Sequence, residues 1–486
     1  MEDAYGNVPF SGPKIPIMSI SMTGLSKSAK TGGLMDKEIE ALTSGTVGFF
    51  WPVSTNGEFN QEPERGFVNR VDSRGFEIRT LNEDPGVGLS LSPHRPKPSA
   101  IVAMFPEGSA VFLEIARYGG KSAFGGRRAS AYNYTSHMAI SRFPVTELSK
   151  TKLDVRVKEL RAHFPGISQW AGLKVSNIKH ERKPDGRLKA AILRLESPED
   201  VVADLGSLSL VIGGHWEVEN DNDRASIYSP VSIGVKAKRA RDVAEMLKVL
   251  LRVQDLVNVA YDTFVRGDGG IAVMAAETEP TTYPRFWNDS LMEGPVKRAA
   301  NREKAGLPLF GLADLNGAQG ISRWVRLYKE FPSAFDAVAA PYRLGGMTWH
   351  GYLRETAVGM ERLVAASKKK GRPAWTKEKP ISLALARRVG DPFAEFVADV
   401  ETWADLFWGA YNGGKHQASY DPDPRDIRTL AISGNLLLMA YLLHRCGMSK
   451  RALADMFRSR VSYELRERIK ALVQNPPVGL RPNSSR

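Results

Sequence analysis

A change of hydrophobic period near Ala240 constrains this chain more than any other feature in it. Between Gly45 and Val235 apolar residues come in short or alternating runs separated by turn formers, the pattern of strands whose successive side chains face opposite ways. After Ala240 they recur three and four residues apart, as on helices with one buried face. A segment patterned for one period cannot bury its apolar side chains in the other, so the two stretches fold as different architectures.

In the first stretch the runs Val47–Val53, Gly66–Val71, Gly75–Thr80, Ile101–Phe105, Ala110–Ala116 and Tyr132–Phe143 read as strands. So do Lys174–Glu181, Leu188–Glu196, Leu208–Val218 and Ser226–Val235. Connections such as Asp72-Ser73-Arg74 and Pro106-Glu107-Gly108-Ser109 are of hairpin length. Lys152–Phe164 is expected to interrupt the strands as a helix leading into Trp170.

In the second stretch Ala240–Phe264 reads as one helix, stopped by Arg266-Gly267-Asp268-Gly269-Gly270. A short strand, Ile271–Ala276, and an irregular segment to residue 305 follow. The remaining helices are expected over Ile321–Phe331, Thr348–Lys368, Ile381–Val389, Pro392–Tyr411, Ile427–Cys446 and Lys450–Val473. Prolines and Gly447 mark the breaks between them.

The fold class is therefore α+β: an antiparallel β-rich sandwich or barrel followed by an all-α bundle. The expected division is an irregular arm at 1–39, with a short helix Met35–Leu42 across its end, and a β-rich domain at 40–238. A bridging helix and connector at 239–305, a helical bundle at 306–473 and a basic tail at 474–486 complete it. A chain of 486 residues is long enough for two or three cores.

Several chemistries are disfavoured. The single cysteine, Cys446, permits no internal disulfide and no cysteine-rich zinc site, and fits a reducing cytoplasm. The polar opening residues differ from a secretion signal, and the longest strongly apolar run, Leu436–Leu443, is short for a bilayer span. The expectation is a soluble, cytoplasmic protein with no membrane partner. Gly24–Thr31 resembles a phosphate-binding loop but has Ala29 where the second glycine is needed. None of the eight histidines forms an i, i+4 pair, Gly-x-Ser-x-Gly is absent, and neither metal nor cofactor is expected.

The net charge is +13, and residues 425–486 hold twelve Lys/Arg against four Asp/Glu. Such a concentration suits a polyanion, nucleic acid first, while charge alone leaves the alternative of a merely solvated helix face open. Arg425, Arg428, Arg458, Arg460, Arg466 and Arg468 are the candidate RNA contacts. One further stretch, Trp408–His416, ends a strongly apolar helix and precedes Asp421-Pro422-Asp423-Pro424 and a Leu-rich helix. Polar residues at such a junction either cap helices or face a cleft, and spacing alone favours the cap.

The Gly48-Phe49-Phe50-Trp51-Pro52 strand, the Gly66 strand and the Phe164…Trp170 element resemble the ApeA-like branch of the HEPN superfamily. So do helix Leu353–Leu363 with Glu361, the Tyr411–His416 junction, and Leu442-Leu443…Gly447-Met448-Ser449. The resemblance covers roughly residues 40–470. It implies a metal-independent endoribonuclease acting in abortive infection against phage, with two protomers pairing their motifs in one cleft. The family's motif is an Arg, often followed by Asn, Asp or His, and then a His a few residues on. Asn412 and His416 match it, while Tyr411 occupies the Arg position.

On this reading His416 is the acid/base, Asn412 orients it or the phosphate, Lys415 supplies a cation, and Tyr411 stacks on a base or acts as a weak donor. Arg156…His163 and Arg343…His350 share the spacing but are set aside as lying away from the junction. His163 is expected on the surface of its helix, and His350 partly buried near a helix start. The β-rich domain is expected to sense a phage-derived trigger or to restrain the nuclease. The alternative is a catalytically inactive HEPN protein that binds RNA or regulates a partner.

Overall fold

Alternating apolar residues need a partner strand on each side, and the first six strands find them by closing on themselves. The computed structural model describes residues 45–58, 62–71, 75–83, 97–122, 129–143, 153, 155–214, 216–221, 224–275, 283–294, 306–369, 381–416, 420–477 and 480. The expected arm with its Met35–Leu42 helix, the Gly24–Thr31 loop, His94, His215 and residues 481–486 lie outside these.

Strands β1 (Thr46–Val53), β2 (Glu64–Val71), β3 (Gly75–Glu83), β4 (Ala100–Phe105), β5 (Gly108–Ser122) and β6 (Ala129–Ser141) pair antiparallel in the order β6-β3-β2-β1-β4-β5. β5 then pairs back with β6, from Ala110↔Ser141 to Ser122↔Ser130, and closes a six-stranded barrel. Closure removes both sheet edges. The buried rings include Phe50, Phe76, Phe112 and Tyr134, with Phe76 edge-on to Phe112 at 5.4 Å.

A second sheet grows from the barrel. β7 (Arg156–Phe164), α1 (Ser168–Ala171), β8 (Ser176–Arg182), β9 (Leu188–Leu195), β10 (Val201–Asp204), β11 (Leu208–Gly214), β12 (Glu217–Asp221), β13 (Arg224–Tyr228) and β14 (Val231–Asp242) come next in the chain. Helix α2 (Val243–Tyr261), strands β15 (Gly270–Met274) and β16 (Arg285–Asn288), and the short helix α3 (Asp289–Met292) follow. The order β10-β11-β14-β7-β15-β16 joins the barrel where β16 pairs with the end of β6. The earlier part of β6 pairs with β3 along the same edge, so β6 forks between barrel and extension. Two hairpins, β8-β9 and β12-β13, stand apart.

Lys152–Phe164 is not a helix: Arg156–Phe164 is a strand between β14 and β15. Val157, Leu160 and Phe164 mimic helical spacing because the β7–β15 ladder skips Lys158. That irregularity turns Val157 and Leu160 to the same buried side. His163 is accordingly 6% exposed rather than on the surface. The segment expected as irregular to residue 305 supplies β16, which is needed to connect the two sheets. Leu208–Val218 and Ser226–Val235 each divide into two strands.

The helical part comprises α4 (Gly317–Glu330), α5 (Pro332–Arg343), α6 (Trp349–Lys369), α7 (Ile381–Val389), α8 (Asp391–Val397), α9 (Val400–His416), α10 (Pro424–Cys446), α11 (Lys450–Arg458) and α12 (Arg460–Gln474). The expected helix Pro392–Tyr411 is broken at Ala398, which has φ +72°. Asp399 restarts the chain as α9 by accepting from the Glu401 and Thr402 amides and the Thr402 hydroxyl. These bonds hold the Asp399 carboxyl below the usual range. Lys450–Val473 likewise divides at Ser459. α5 was not expected, since Pro332 and Pro341 read as breakers; Pro332 lies in the first turn, where proline is tolerated, and the Ala337 carbonyl that Pro341 leaves without an amide accepts from Asn435 Nδ2 at 2.9 Å.

α10 is the axis of the bundle. It is long and apolar enough to span a membrane, but 78% of its most apolar window is buried inside the protein, as in a core helix. Burial pushes the Cys446 thiol at its end up to about 12, so the chain's one cysteine is held as a thiol.

α2 is covered from both sides, by β14 and β7 below and by α4 and α5 above. Its Asp255, 4% exposed, accepts from Arg343 Nε at 2.7 Å. The same guanidinium donates to Ser290 O at 2.6 Å and Leu251 O at 3.1 Å. One side chain at the end of α5 thus ties the helical part to the β-rich part.

Candidate functional site

α9 buries Trp403, Leu406, Phe407, Ala410, Tyr411 and Gly413 and exposes Asp405, Asn412, Lys415 and His416. Asn412 and His416 are one turn apart, so they stand on a single solvent-facing stripe at the helix C-terminus. The turn is set by tight packing. A Cβ on Gly413 would lie 2.5 Å from the Tyr420 ring, so only glycine lets the returning chain lie against α9 here. Burial, with Asp426 adding repulsion, raises the Tyr420 hydroxyl to about 12. Asp423 caps α10 by accepting from the Arg425 amide at 2.8 Å.

Tyr411 does not occupy the role expected of it. Its ring is 5% exposed, packed 5.3 Å from Trp408, and its hydroxyl donates to Glu361 on α6 at 3.4 Å. A ring so covered offers no face to a base. The Lys415 ammonium lies 5.5 Å from the Tyr411 centroid, so Lys415 carries the positive charge at this point of the surface.

His350 is corrected too. It is exposed, and it borders the junction after all: a Cβ on Gly414 would sit 3.8 Å from His350 Cδ2. Positions 414 and 416 point about 200° apart on a helix, so His350 and His416 flank α9 on opposite sides. Spacing along the chain carries no trace of this neighbour, which comes from the start of another helix.

The six arginines separate into different environments. Arg458 pairs with Glu395 at 3.1 Å and Asp455 at 3.9 Å. Arg466 donates to Phe457 O at 2.9 Å, completing the end of α11. Arg425 is exposed, and the Arg460 side chain lies outside the described residues. Arg428 stacks on Trp349 at 5.2 Å, and Trp349, Arg428 and Arg468 line one cavity.

A second polar group in the β-rich part was not foreseen. Asn288 donates to Glu114 at 3.1 Å and to His137 O at 3.2 Å, and His137 Nδ1 meets Asp289 at 2.5 Å. Desolvation, then the neighbouring Asp289, raises the Glu114 carboxyl above its ordinary range. Glu114 has φ +53° and immediately precedes the register shift between Ile115 and Arg117 in β5. These residues come from β5, β6 and the β16–α3 corner, so no local motif announces them. Among the described residues no set of three His, Cys, Asp or Glu is placed to hold a metal ion.

The family described as ApeA N-terminal domain 1 matches residues 46–324, which spans the barrel, the sheet extension and α2 and ends within α4. No curated protein and no solved structure matches the chain.

Proposed function

The chain belongs to the ApeA N-terminal domain 1 family and is an ApeA-like antiviral-defence protein, and from that premise we propose that its helical part is a metal-independent endoribonuclease of HEPN type. The observation that carries the reading is the exposed Asn412–His416 stripe at the end of α9, beside the Lys415 ammonium. RNA brings its own nucleophile. His416 takes the proton from a 2′-OH, the 2′-oxygen attacks the adjacent phosphorus, and the bond from phosphorus to the 5′-oxygen breaks. The leaving oxygen receives a proton from a second acid, and the products are a 2′,3′-cyclic phosphate and a 5′-hydroxyl.

One His416 cannot readily serve both proton transfers in line, so the reading includes a homodimer through the helical part that pairs two stripes across a two-fold axis. Lys415 stabilises the phosphorane as a point charge, and Asn412 orients His416 or the phosphate. The barrel and its extension receive a phage-derived trigger.

The test is His416→Ala in the full chain. His416 is exposed and supplies no core area, so folding and RNA affinity should hold. Cleavage should fall by about 10²–10⁴-fold, the usual worth of a general acid/base. Wild-type cleavage should leave cyclic phosphate ends, survive chelator and require a dimer in sedimentation. Retention of near wild-type cleavage by His416→Ala would refute the assignment.

The buried Tyr411 favours a second reading, a catalytically inactive HEPN protein that binds RNA or regulates a partner. Its mark is a wild type that binds RNA without cleaving it, while Tyr411→Arg gains cleavage.

A further inference from the structure

A cavity of about 770 Å³ lies between the end of α2, the start of α6, α10 and α12. Trp349 and Tyr352, one turn apart on α6, form one wall, with ring centroids 6.4 Å apart. Arg428 from α10 and Arg468 from α12 reach the same space, and the Arg428 guanidinium rests 5.2 Å from the Trp349 centroid. Among the described residues neither arginine is ion-paired with a carboxylate, unlike Arg343 or Arg458. A guanidinium held over an aromatic ring and left without an anion is preorganised to take one.

Two carboxylates share the cavity. Asp262, held at φ +48° after α2, accepts from the Tyr342 hydroxyl at 3.1 Å, and Glu464 stands one turn before Arg468. Two acids beside two guanidiniums disfavour a polyphosphate. They suit a ligand with one phosphate-sized anion and hydroxyl groups that donate to carboxylates. The aromatic wall and apolar floor require a flat, apolar part as well. The volume falls within the range of small-molecule sites and exceeds what a bare anion would use.

We propose that this cavity binds a single nucleoside monophosphate unit. Its base lies against Trp349 and Tyr352, its phosphate meets Arg428 and Arg468, and its sugar hydroxyls face Asp262 and Glu464. The unit is either a free mononucleotide or one unstacked residue of an RNA strand. The site is separate from the Asn412–His416 stripe. It bridges Asp262, which follows α2 of the family-matched region, and three helices of the bundle, so its occupant touches both parts of the chain.

The test titrates the full chain with AMP, GMP, CMP and UMP, and with adenosine and inorganic phosphate as fragments, by calorimetry. A short single-stranded RNA is the second arm. At least one mononucleotide should bind about tenfold or more tightly than either fragment, since stacking and the charge pair each contribute. Arg428→Gln with Arg468→Gln, and separately Trp349→Leu, should weaken that binding by about tenfold or more; calorimetry reads it without any cleavage, so its failure is distinct from a failure of the nuclease reading.

If mononucleotides fail but the RNA loses affinity by the same factor in both variants, the occupant is a residue of the strand, and the proposal stands. It is overturned if phosphate binds as well as every mononucleotide, or if the variants alter neither arm. It is overturned also if they change only the sedimentation of the chain, since the cavity is then filled by a second copy. Unfolding midpoints of the variants close to wild type establish that the losses are local.

Discussion

Replacing Arg343 with methionine tests how the two parts of the chain are held together. The substitution keeps an apolar stem but removes the guanidinium that meets Asp255 at 2.7 Å and two carbonyls, of Ser290 and Leu251. Asp255 is 4% exposed, and burial already pushes its carboxyl above the ordinary range, with Arg343 opposing the rise and Asp336 adding to it. Without Arg343 the carboxylate stays buried and unpaired, at a cost of about 3–5 kcal/mol. Its escape is to take a proton, which from an unfolded value of about 3.9 costs at most about 4 kcal/mol at pH 7. The two routes agree on a loss of about 3–5 kcal/mol.

The sign of the pH dependence follows. A carboxyl whose folded value lies above its unfolded value favours the fold below the unfolded value and loses that contribution as pH rises toward the folded one. The deficit of Arg343→Met should therefore shrink on acidification, by up to about 2.7 kcal/mol between pH 7 and pH 5. Arg343→Met with Asp255→Leu removes both charges and should recover most of the loss. Urea unfolding of the three proteins at both pH values, followed by tryptophan fluorescence and far-UV circular dichroism, reads these differences. A single variant within about 1 kcal/mol of wild type, or a deficit that does not shrink at pH 5, would show that Asp255 is not the buried charge described.

Two mid-helix glycines should respond oppositely to alanine. In Gly434→Ala the new Cβ would stand 2.2 Å from Phe407 Cε2, so the α9–α10 contact must open and thermal unfolding should show a loss of about 1–3 kcal/mol. In Gly409→Ala the nearest atom is Leu480 O at 3.5 Å, so helix propensity should prevail and add up to about 1 kcal/mol; a loss there would contradict the packing. Glu114→Gln removes a carboxyl that desolvation and Asp289 hold above its ordinary range. The ionised form opposes the fold, so melting temperatures of variant and wild type should differ most in the variant's favour at pH 8 and converge below the unfolded value of glutamate. A gap that widens on acidification would count against the arrangement around Glu114.

Much of the architecture was legible because it is local. Alternation along Val47–Val53 or Ile101–Phe105 needs only the strand's own geometry, and Ile381–Val389 is a helix with the bounds its period implies. Turn formers placed the breaks for the same reason. The candidate stripe was legible in part: Asn412 and His416 share a face because any helix aligns residues four apart.

What remained hidden depends on contacts between segments distant in the chain. Arg156–Phe164 carries good helix formers, yet β14 and β15 supply hydrogen-bond partners on both its edges and tertiary pairing overrides propensity. β16 is four residues long and becomes a strand only because β15 and β6 are there to pair with it. Tyr411 stands at a motif position, but Trp408, Lys415 and Glu361 decide that its ring is covered. His350 met Gly414, Arg428 met Arg468, and Glu114 met Asp289 only once the chain had folded. By itself the sequence determined the two architectures, their order and the helix end that carries His416, since each is written in short-range periodicity. The closure of the barrel, the burial of Tyr411 and the charged and aromatic cavity were decided by tertiary structure, because each depends on side chains brought together from distant segments.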